Sequence, residues 1–286
     1  MTMTDAPSFA DVAPEYRQPD KAAVVVVPVP YDGTSTWMKG ADQGPRAIIA
    51  ASANLELYDI ETDSEVYRNG IFTDAPIDAD GAPEEMVAAV RQRVETHLAN
   101  DKFTVVVGGE HSVSIGAVQA HARAYPGLTV LQLDAHADLR DEYEGSKYNH
   151  ACVMARIKEL CPSVQVGLRS MDVSEQPCIE EDRVFWAQEI HDSSNWINPV
   201  LGKLGKEVYV TIDVDVFDPS IMPSTGTPEP GGLLWYDVLA LLKAVCRRTT
   251  VVGFDVVELC PTETNWAPDF LAAKLIYKLL SYKFRG

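Results

Sequence analysis

Short runs of apolar, mostly β-branched residues alternate along this chain with longer segments whose apolar positions recur at helical spacing. That alternation is the mark of βαβ units built around a parallel sheet. Strands are predicted at residues 23–29, 103–107, 128–133, 163–166, 207–214 and 250–256. Helices with one apolar face are predicted at 44–57, 83–98, 112–124, 151–160, 234–244 and 266–280. No repeat or low-complexity linker interrupts the pattern, so the reading is one α/β domain over 21–286, preceded by a polar, Pro-containing arm at 1–20 that lies over the surface or onto a neighbouring subunit. In open α/β sheets ligands bind beyond the carboxyl ends of the strands, and the unusual polar clusters fall there. Gly108-Gly109-Glu110-His111 follows one predicted strand, Asp134-Ala135-His136-Ala137-Asp138 another, Asp213-Val214-Asp215 a third and Glu258 the last.

Composition narrows the function classes. Apolar residues make up 46% of the 286 and charged residues 23%, ordinary values for a chain with its own core. The longest apolar run is closed by Pro28 and Pro30, far short of the ~20 residues of a membrane span. The first twenty residues carry Asp5, Asp11, Glu15 and Asp20 and no apolar stretch, unlike a secretory leader, so a cytoplasmic location is expected. The five cysteines form no CxxC pair, which argues against a disulfide framework or a thiolate zinc site and predicts reduced, mostly buried side chains. A formal charge of −18, with no cluster of Lys and Arg, argues against a nucleic-acid partner. The same charge could steer a cation inward.

Asp134, His136 and Asp138 stand at alternate positions, which share one face of a strand. Fully extended, Asp134 and Asp138 would be about 13 Å apart, too far to bind one small ion. Either the chain bends after His136 or the run serves two ions. Asp213 and Asp215 repeat the spacing at the end of an apolar strand, and His111 completes a set of four carboxylates and two imidazoles. Without a thiolate, this set favours hard to borderline ions such as Mn²⁺ over structural zinc. Were Asp134 and Asp213 to bridge, two ions roughly 3.5–4 Å apart could share and deprotonate one water, making a hydroxide nucleophile. A DxD pair or a GGxH turn alone is as readily a loop cap. Three ionisable groups beside the apolar run 128–133 are different, because burial without a compensating ion is costly.

These motifs, in type, order and spacing, resemble those of the arginase and agmatinase family of ureohydrolases, over nearly the whole chain. Gly108-Gly109-Glu110-His111-Ser112, Asp134 to Asp138, Asn149-His150-Ala151, Asp213 to Pro219 and Ser224 to Gly232 look like its successive signature blocks. The loops Pro30-Tyr31-Asp32-Gly33 and Gly40 to Pro45 are similar to family elements less specifically. The resemblance implies a three-layer α/β/α fold with a mostly parallel eight-stranded sheet, assembled as a homotrimer or homohexamer. It implies two Mn²⁺ per subunit, one held by His111, Asp134, Asp138 and Asp213, the other by Asp134, His136, Asp213 and Asp215. All six positions carry the expected residue type, which argues against a non-catalytic homologue. A one-zinc deacetylase of related fold would lack this Asp-rich set.

The implied substrate is a small guanidino cation. A guanidinium carbon is a poor electrophile that stays charged at neutral pH, so it needs a strong nucleophile and a carboxylate partner. Glu258 is expected to orient it, Asp138 to pass a proton to the leaving amine, and His150, with an ordinary pKa near 6.5, to relay protons with solvent. Thr227 is expected to touch the substrate as well. Arginases resemble one another in an Asn/Ser/Thr-rich loop before the His150 position, and this sequence departs from that pattern with Asp141, Glu142 and Glu144. Such a loop would repel a carboxylate and attract an amine tail. The expectation is therefore agmatine, cleaved to putrescine and urea in polyamine biosynthesis, with N1-aminopropylagmatine as the alternative and arginine or guanidinobutyrate behind them. The remaining histidines, His97, His121 and His191, match no motif and are expected on surfaces.

Overall fold

The computed structural model describes residues 8–78 and 81–285. Eight strands form one sheet: β1 (Val24–Val29), β2 (Ile71–Thr73), β3 (Phe103–Gly108), β4 (Leu128–Leu133), β5 (Ser163–Leu168), β6 (Val184–Trp186), β7 (Glu207–Asp213) and β8 (Thr250–Val257). They lie in the order β2-β1-β3-β8-β7-β4-β5-β6, and every pairing is parallel. The helices are α1 (Gly44–Ser52), α2 (Pro83–Leu98), α3 (Val113–Ala124), α4 (Val153–Lys158), α5 (Ala187–His191), α6 (Ile197–Lys203), α7 (Trp235–Arg248) and α8 (Ala267–Lys283).

The sequence pattern found six of the strands and missed β2 and β6. Both are three residues long, too short to carry a period, and both are the outer strands of the sheet. Short edges offer little unpaired backbone to other chains. β1, β3, β4 and β5 are buried at every position, as strands covered on both faces must be. Alternate residues divide between two cores. Val24, Val26, Val105 and Val107 pack with α7 and α8 residues such as Leu242 and Ile276, while Val25, Val27 and Val106 pack with α2 and α3 residues such as Val90 and Val118. The result is three layers. Burying each valine contributes about 1.5–3 kcal/mol, which is why period-two alternation sets the register so firmly.

Residues 1–7 of the arm, Asp5 among them, lie outside the described residues, as does Gly286 at the end of the domain read at 21–286. The remainder packs on its own chain. Phe9 is fully buried against the α7/α8 side of the sheet, and the Phe9 and Ala10 N–H groups donate to Thr73 Oγ1 and Ser52 Oγ, both at 2.8 Å. Of the cysteines, only Cys152 and Cys260 are buried, and all five are free thiols.

His121 corrects the expectation of surface histidines: it is fully buried. α3 is squeezed between α2 and the sheet, with Gly116 letting the two helices approach where a Cβ would meet Val87 O at 2.4 Å. His121 faces inward from the last turn of α3, whose following residues Arg123 and Ala124 are exposed. His121 Nδ1–H donates to Ala117 O at 2.8 Å, and its ring lies 4.6 Å from that of Tyr209. Desolvation pushes its pKa down to about 4. The unfolded chain then takes up a proton near pH 6.5 that the folded chain refuses until about pH 4, so stability present above pH 6.5 drains away as pH falls through that window, by up to about 3 kcal/mol. Urea denaturation of the wild type and of His121→Gln from pH 7 to 4.5 should give a shallower pH slope for the variant. Parallel slopes would show that His121 is not responsible.

Candidate metal centre and active site

The four strands that end in polar clusters, β3, β8, β7 and β4, are consecutive in the sheet although they are third, last, seventh and fourth in the chain. Cross-strand register aligns Val107, Val256, Ile212 and Leu133 in one row. The residues just beyond that row therefore emerge together at the carboxyl edge.

After β3 the chain turns at Gly109, where a Cβ would meet Tyr31 O at 1.9 Å, so only glycine fits. The turn aims His111 inward. His111 Nδ1 lies 3.1 Å from Asp134 Oδ2, 3.0 Å from Asp138 Oδ2 and 3.5 Å from Asp213 Oδ2. His136 Nδ1 lies 2.8 Å from Asp215 Oδ2 and 3.7 Å from Asp134 Oδ1. The chain does bend after His136: Asp138 adopts φ 54°, a left-handed conformation that costs a non-glycine residue about 1 kcal/mol or more. The bend brings the Asp134 and Asp138 carboxylates to the same imidazole nitrogen. Asp213 Oδ1 accepts the Asp215 N–H at 2.8 Å, which starts the 3-10 turn that presents Asp215.

Two groups of potential ligand atoms result, His111 with Asp134 and Asp213, and Asp134 with His136 and Asp215, each with its atoms within 4.8 Å of one another. Asp134 belongs to both. All six predicted ligands are thus brought together, five of them buried and His136 25% exposed at its side chain. The electrostatics are those of anions in search of cations. Burial, then the neighbouring Asp134 carboxylate, pushes Asp138 up to about 7, and burial, then Asp215 and Asp134, raises Asp213 well above the carboxylate range. Burial opposes charge on His136 but the Asp215 and Asp134 carboxylates overcome it, lifting the imidazole to about 12. His111 Nδ1 is buried with no well-formed hydrogen bond among these oxygens. Such a donor set, all oxygen and imidazole with an orphaned ring nitrogen, fits hard to borderline divalent ions.

Glu258 follows β8 at φ 67°, its N–H bonded to Gly109 O at 2.7 Å, and its Oε1 accepts the His111 N–H at 2.7 Å. Burial, and then Glu110, raise its carboxyl well above the usual range. A cavity of about 290 Å³ opens over the group, lined by His111, His136, Asp138, Asp213, Asp215, His150, Thr227 and Glu258. Asp134 lies beneath the floor, fully buried. His150 donates its N–H to Thr34 Oγ1 at 2.9 Å, and burial lowers its ring to about 4. This corrects the expected value near 6.5: the buried ring is a weaker base than a free imidazole.

The acidic loop behaves differently from its expectation. Asp141, Glu142 and Glu144 are exposed and do not line the cavity. The Asp141 carboxylate is drawn away by Arg156 Nη2 at 2.6 Å and Lys147 Nζ at 3.0 Å. The outer wall consists instead of Trp37, Met38, Arg140, Tyr143, Met171, Asp172 and Glu175. None of these was expected at the site from the sequence, although Trp37 and Met38 sit between the two N-terminal loop motifs. Arg140 stacks on Tyr143, 4.5 Å from the ring centroid, with Asp172 Oδ2 at 3.6 Å. Glu175 is spent internally, accepting the Leu139 and Asp172 N–H groups at 2.7 Å each.

The chain is also similar to known proteins. A sequence profile described as the Arginase family matches residues 22–281. The chain is 42% identical over 272 residues to an N(1)-aminopropylagmatine ureohydrolase of a Synechocystis species, covering 91% of this chain and 89% of the relative. It is 33% identical to an agmatinase of Pyrococcus horikoshii, covering 92% and 93%. The crystal structure of an agmatine ureohydrolase of Thermoplasma volcanium superposes with a TM-score of 0.88 at 28% identity, covering 99% of this chain and 96% of the other. The chain belongs to the arginase family and is a ureohydrolase, a hydrolase of amidino carbon–nitrogen bonds in guanidino substrates.

Proposed function

We propose that this chain hydrolyses the guanidino group of N1-aminopropylagmatine to urea and a triamine in a site holding two manganese ions. The observation that carries the choice of substrate is the cavity's makeup: a carboxylate floor under an aromatic and thioether rim. Trp37 is 75% exposed and Met38 55% exposed at that rim, with Tyr143 and Met171 beside them. A rim of this kind suits the alkyl stretches and second cation of a long polyamine tail, through apolar contact and cation–π attraction. Agmatine, the first expectation, rested on Asp141, Glu142 and Glu144, which stand off the cavity, and relatives named for N1-aminopropylagmatine outrank those named for agmatine. A substrate carboxylate is disfavoured, because the one guanidinium in the wall, Arg140, is already engaged by Asp172 and Tyr143.

His111, Asp134, Asp138 and Asp213 would hold one ion, and Asp134, His136, Asp213 and Asp215 the other. When bound, the pair supplies positive charge that brings the pKa of water toward neutrality and lets the buried carboxylates ionise together. Glu258 anchors the guanidinium; carboxylate oxygens accept more than one hydrogen bond, so it can keep the His111 N–H while doing so. Water adds to the guanidino carbon, the bond to the alkylated nitrogen breaks, and that nitrogen takes the proton handed on by Asp138. His150, which lines the cavity, relays protons between the site and solvent, so that the amine leaves as an ammonium with no net proton released. We place this activity in the cytoplasm and in a homotrimer or homohexamer. The exposed apolar face bearing Ile60 (86% exposed) and Tyr236 (80%) supports the assembly.

Urea release by the Mn²⁺-loaded chain should be measured from N1-aminopropylagmatine, agmatine, arginine and guanidinobutyrate. The expected order is that sequence, with kcat/KM for the first exceeding agmatine by roughly 10–100-fold. Preference for arginine would sink the substrate reading and leave the metal site standing. Preference for agmatine would return the choice to the shorter amine.

A further inference from the structure

We propose that Thr211, held by Asp255, is a positioning residue for the metal site: its hydroxyl oxygen accepts the Nε2–H of His111 and so commits the opposite ring nitrogen, Nδ1, to the metal. The inference rests on the reading of His111 as a ligand.

His111 presents two different faces. Nδ1 looks at the carboxylates of Asp134, Asp138 and Asp213, while Nε2 lies 2.9 Å from Thr211 Oγ1 on the far side of the ring. Which nitrogen carries the proton decides whether the ring can ligate from Nδ1, and the partner of the other nitrogen makes that decision. A threonine hydroxyl has one proton to give and lone pairs to receive with. Thr211 directs its proton to Asp255 Oδ1 at 2.7 Å. Tyr209 does the same to the other oxygen at 2.8 Å. Each Asp255 oxygen thus accepts from one hydroxyl, and because the Thr211 contact to Asp255 is much shorter than its 3.3 Å contact to Ser114 Oγ, the one proton of Thr211 is committed to Asp255 and its lone pairs are left for His111. The polarity of the chain is thereby set from the buried end: Asp255 receives from Thr211, and Thr211 receives from His111.

The sheet builds this arrangement. Thr211 and Asp255 are register partners across β7 and β8, and Tyr209, Thr211 and Asp213 share one face of β7 at period two. One strand face thus delivers a ligand, Asp213, and two residues earlier the hydroxyl that orients another ligand. Tyr209, Thr211 and Asp255 are all fully out of contact with solvent, so no water substitutes for a missing partner. Burial raises the Asp255 carboxyl, and hydrogen bonds from the hydroxyls of Thr211, Tyr209 and Ser114 oppose that rise.

The test compares Thr211→Val, which keeps the shape and removes the hydroxyl, with Thr211→Ser, which keeps the hydroxyl. Metal-free protein is titrated with Mn²⁺ by calorimetry, and Zn²⁺-loaded protein with ¹⁵N-labelled histidine is examined by NMR. The valine variant is expected to bind Mn²⁺ about 10–100-fold more weakly, with the serine variant restoring affinity. The wild-type spectrum is expected to show a slowly exchanging Nε2–H on His111. Wild-type affinity in Thr211→Val overturns the inference, and so does a serine variant as weak as the valine one, since packing of the methyl group would then be the cause. If Thr211→Val does not fold, the wild-type spectrum decides, and a proton on Nδ1 instead of Nε2 overturns the inference. A wild-type chain that takes up no Mn²⁺ sinks the metal reading itself and this inference with it, an outcome distinct from intact binding indifferent to Thr211.

Discussion

Asp134→Asn protein is expected to bind less Mn²⁺ than the wild type and to release urea roughly 10³-fold more slowly, a loss of about 4 kcal/mol of transition-state stabilisation. Asp134 is the residue common to both groups of ligand atoms, so its charge serves each of them. It is also tied in from below. Gln132 Nε2 donates to Oδ2 at 2.7 Å, and the His136 N–H donates to Oδ1 at 2.6 Å. Asparagine preserves the volume and one acceptor, so the variant removes the negative charge together with one of these two hydrogen bonds. Metal content by elemental analysis, thermal melting with and without Mn²⁺, and steady-state urea release would be read together. Reduced turnover with full metal content would assign Asp134 a role other than ligation. Unchanged turnover would remove Asp134 from the site.

Glu258→Gln is expected to lower kcat/KM by about 10²–10³-fold while leaving Mn²⁺ content at the wild-type level. Glutamine keeps an oxygen for the His111 N–H, now 2.7 Å from Glu258 Oε1, so the turn that aims His111 is preserved. What it loses is the charge that pairs with a guanidinium. The two variants therefore separate metal binding from substrate binding. Should Glu258→Gln lose metal as severely as Asp134→Asn, Glu258 would be a support for His111 and not the substrate's anchor. A fall confined to kcat, with KM unchanged, would place its contribution in the transition state alone.

Much of the candidate site was legible because its chemistry is written in local spacing. Asp134, His136 and Asp138, and again Asp213 and Asp215, stand out because ionisable residues at period two interrupt apolar runs, and burial of such groups demands a reason. The left-handed φ of Asp138 and Glu258 was not legible, since nothing in either residue type requests it. The surrounding hydrogen bonds impose it: Asp138 O accepts from the Met154 and Ala155 N–H groups, and Glu258 N–H is fixed on Gly109 O. Asp141, Glu142 and Glu144 mislead for the converse reason. Their charges are plain in the sequence, but whether Asp141 faces a substrate or a neighbour depends on Arg156, fifteen residues away and placed by α4. His121 likewise reads as a helix-surface histidine until α2 and the sheet close over it.

Local pattern was enough for the α/β class, six of the strands, the long helices, the six candidate ligands and Glu258, because periodicity and residue chemistry are local properties. It took the assembled sheet to make β3, β8, β7 and β4 neighbours, to bring their polar ends level along the row through Val107, Val256, Ile212 and Leu133, and to stand Thr211 beside Asp255. Strand order and register arise from how two apolar faces are covered by helices that lie far apart in the chain. A single strand's pattern says which face is buried and is silent about its partner.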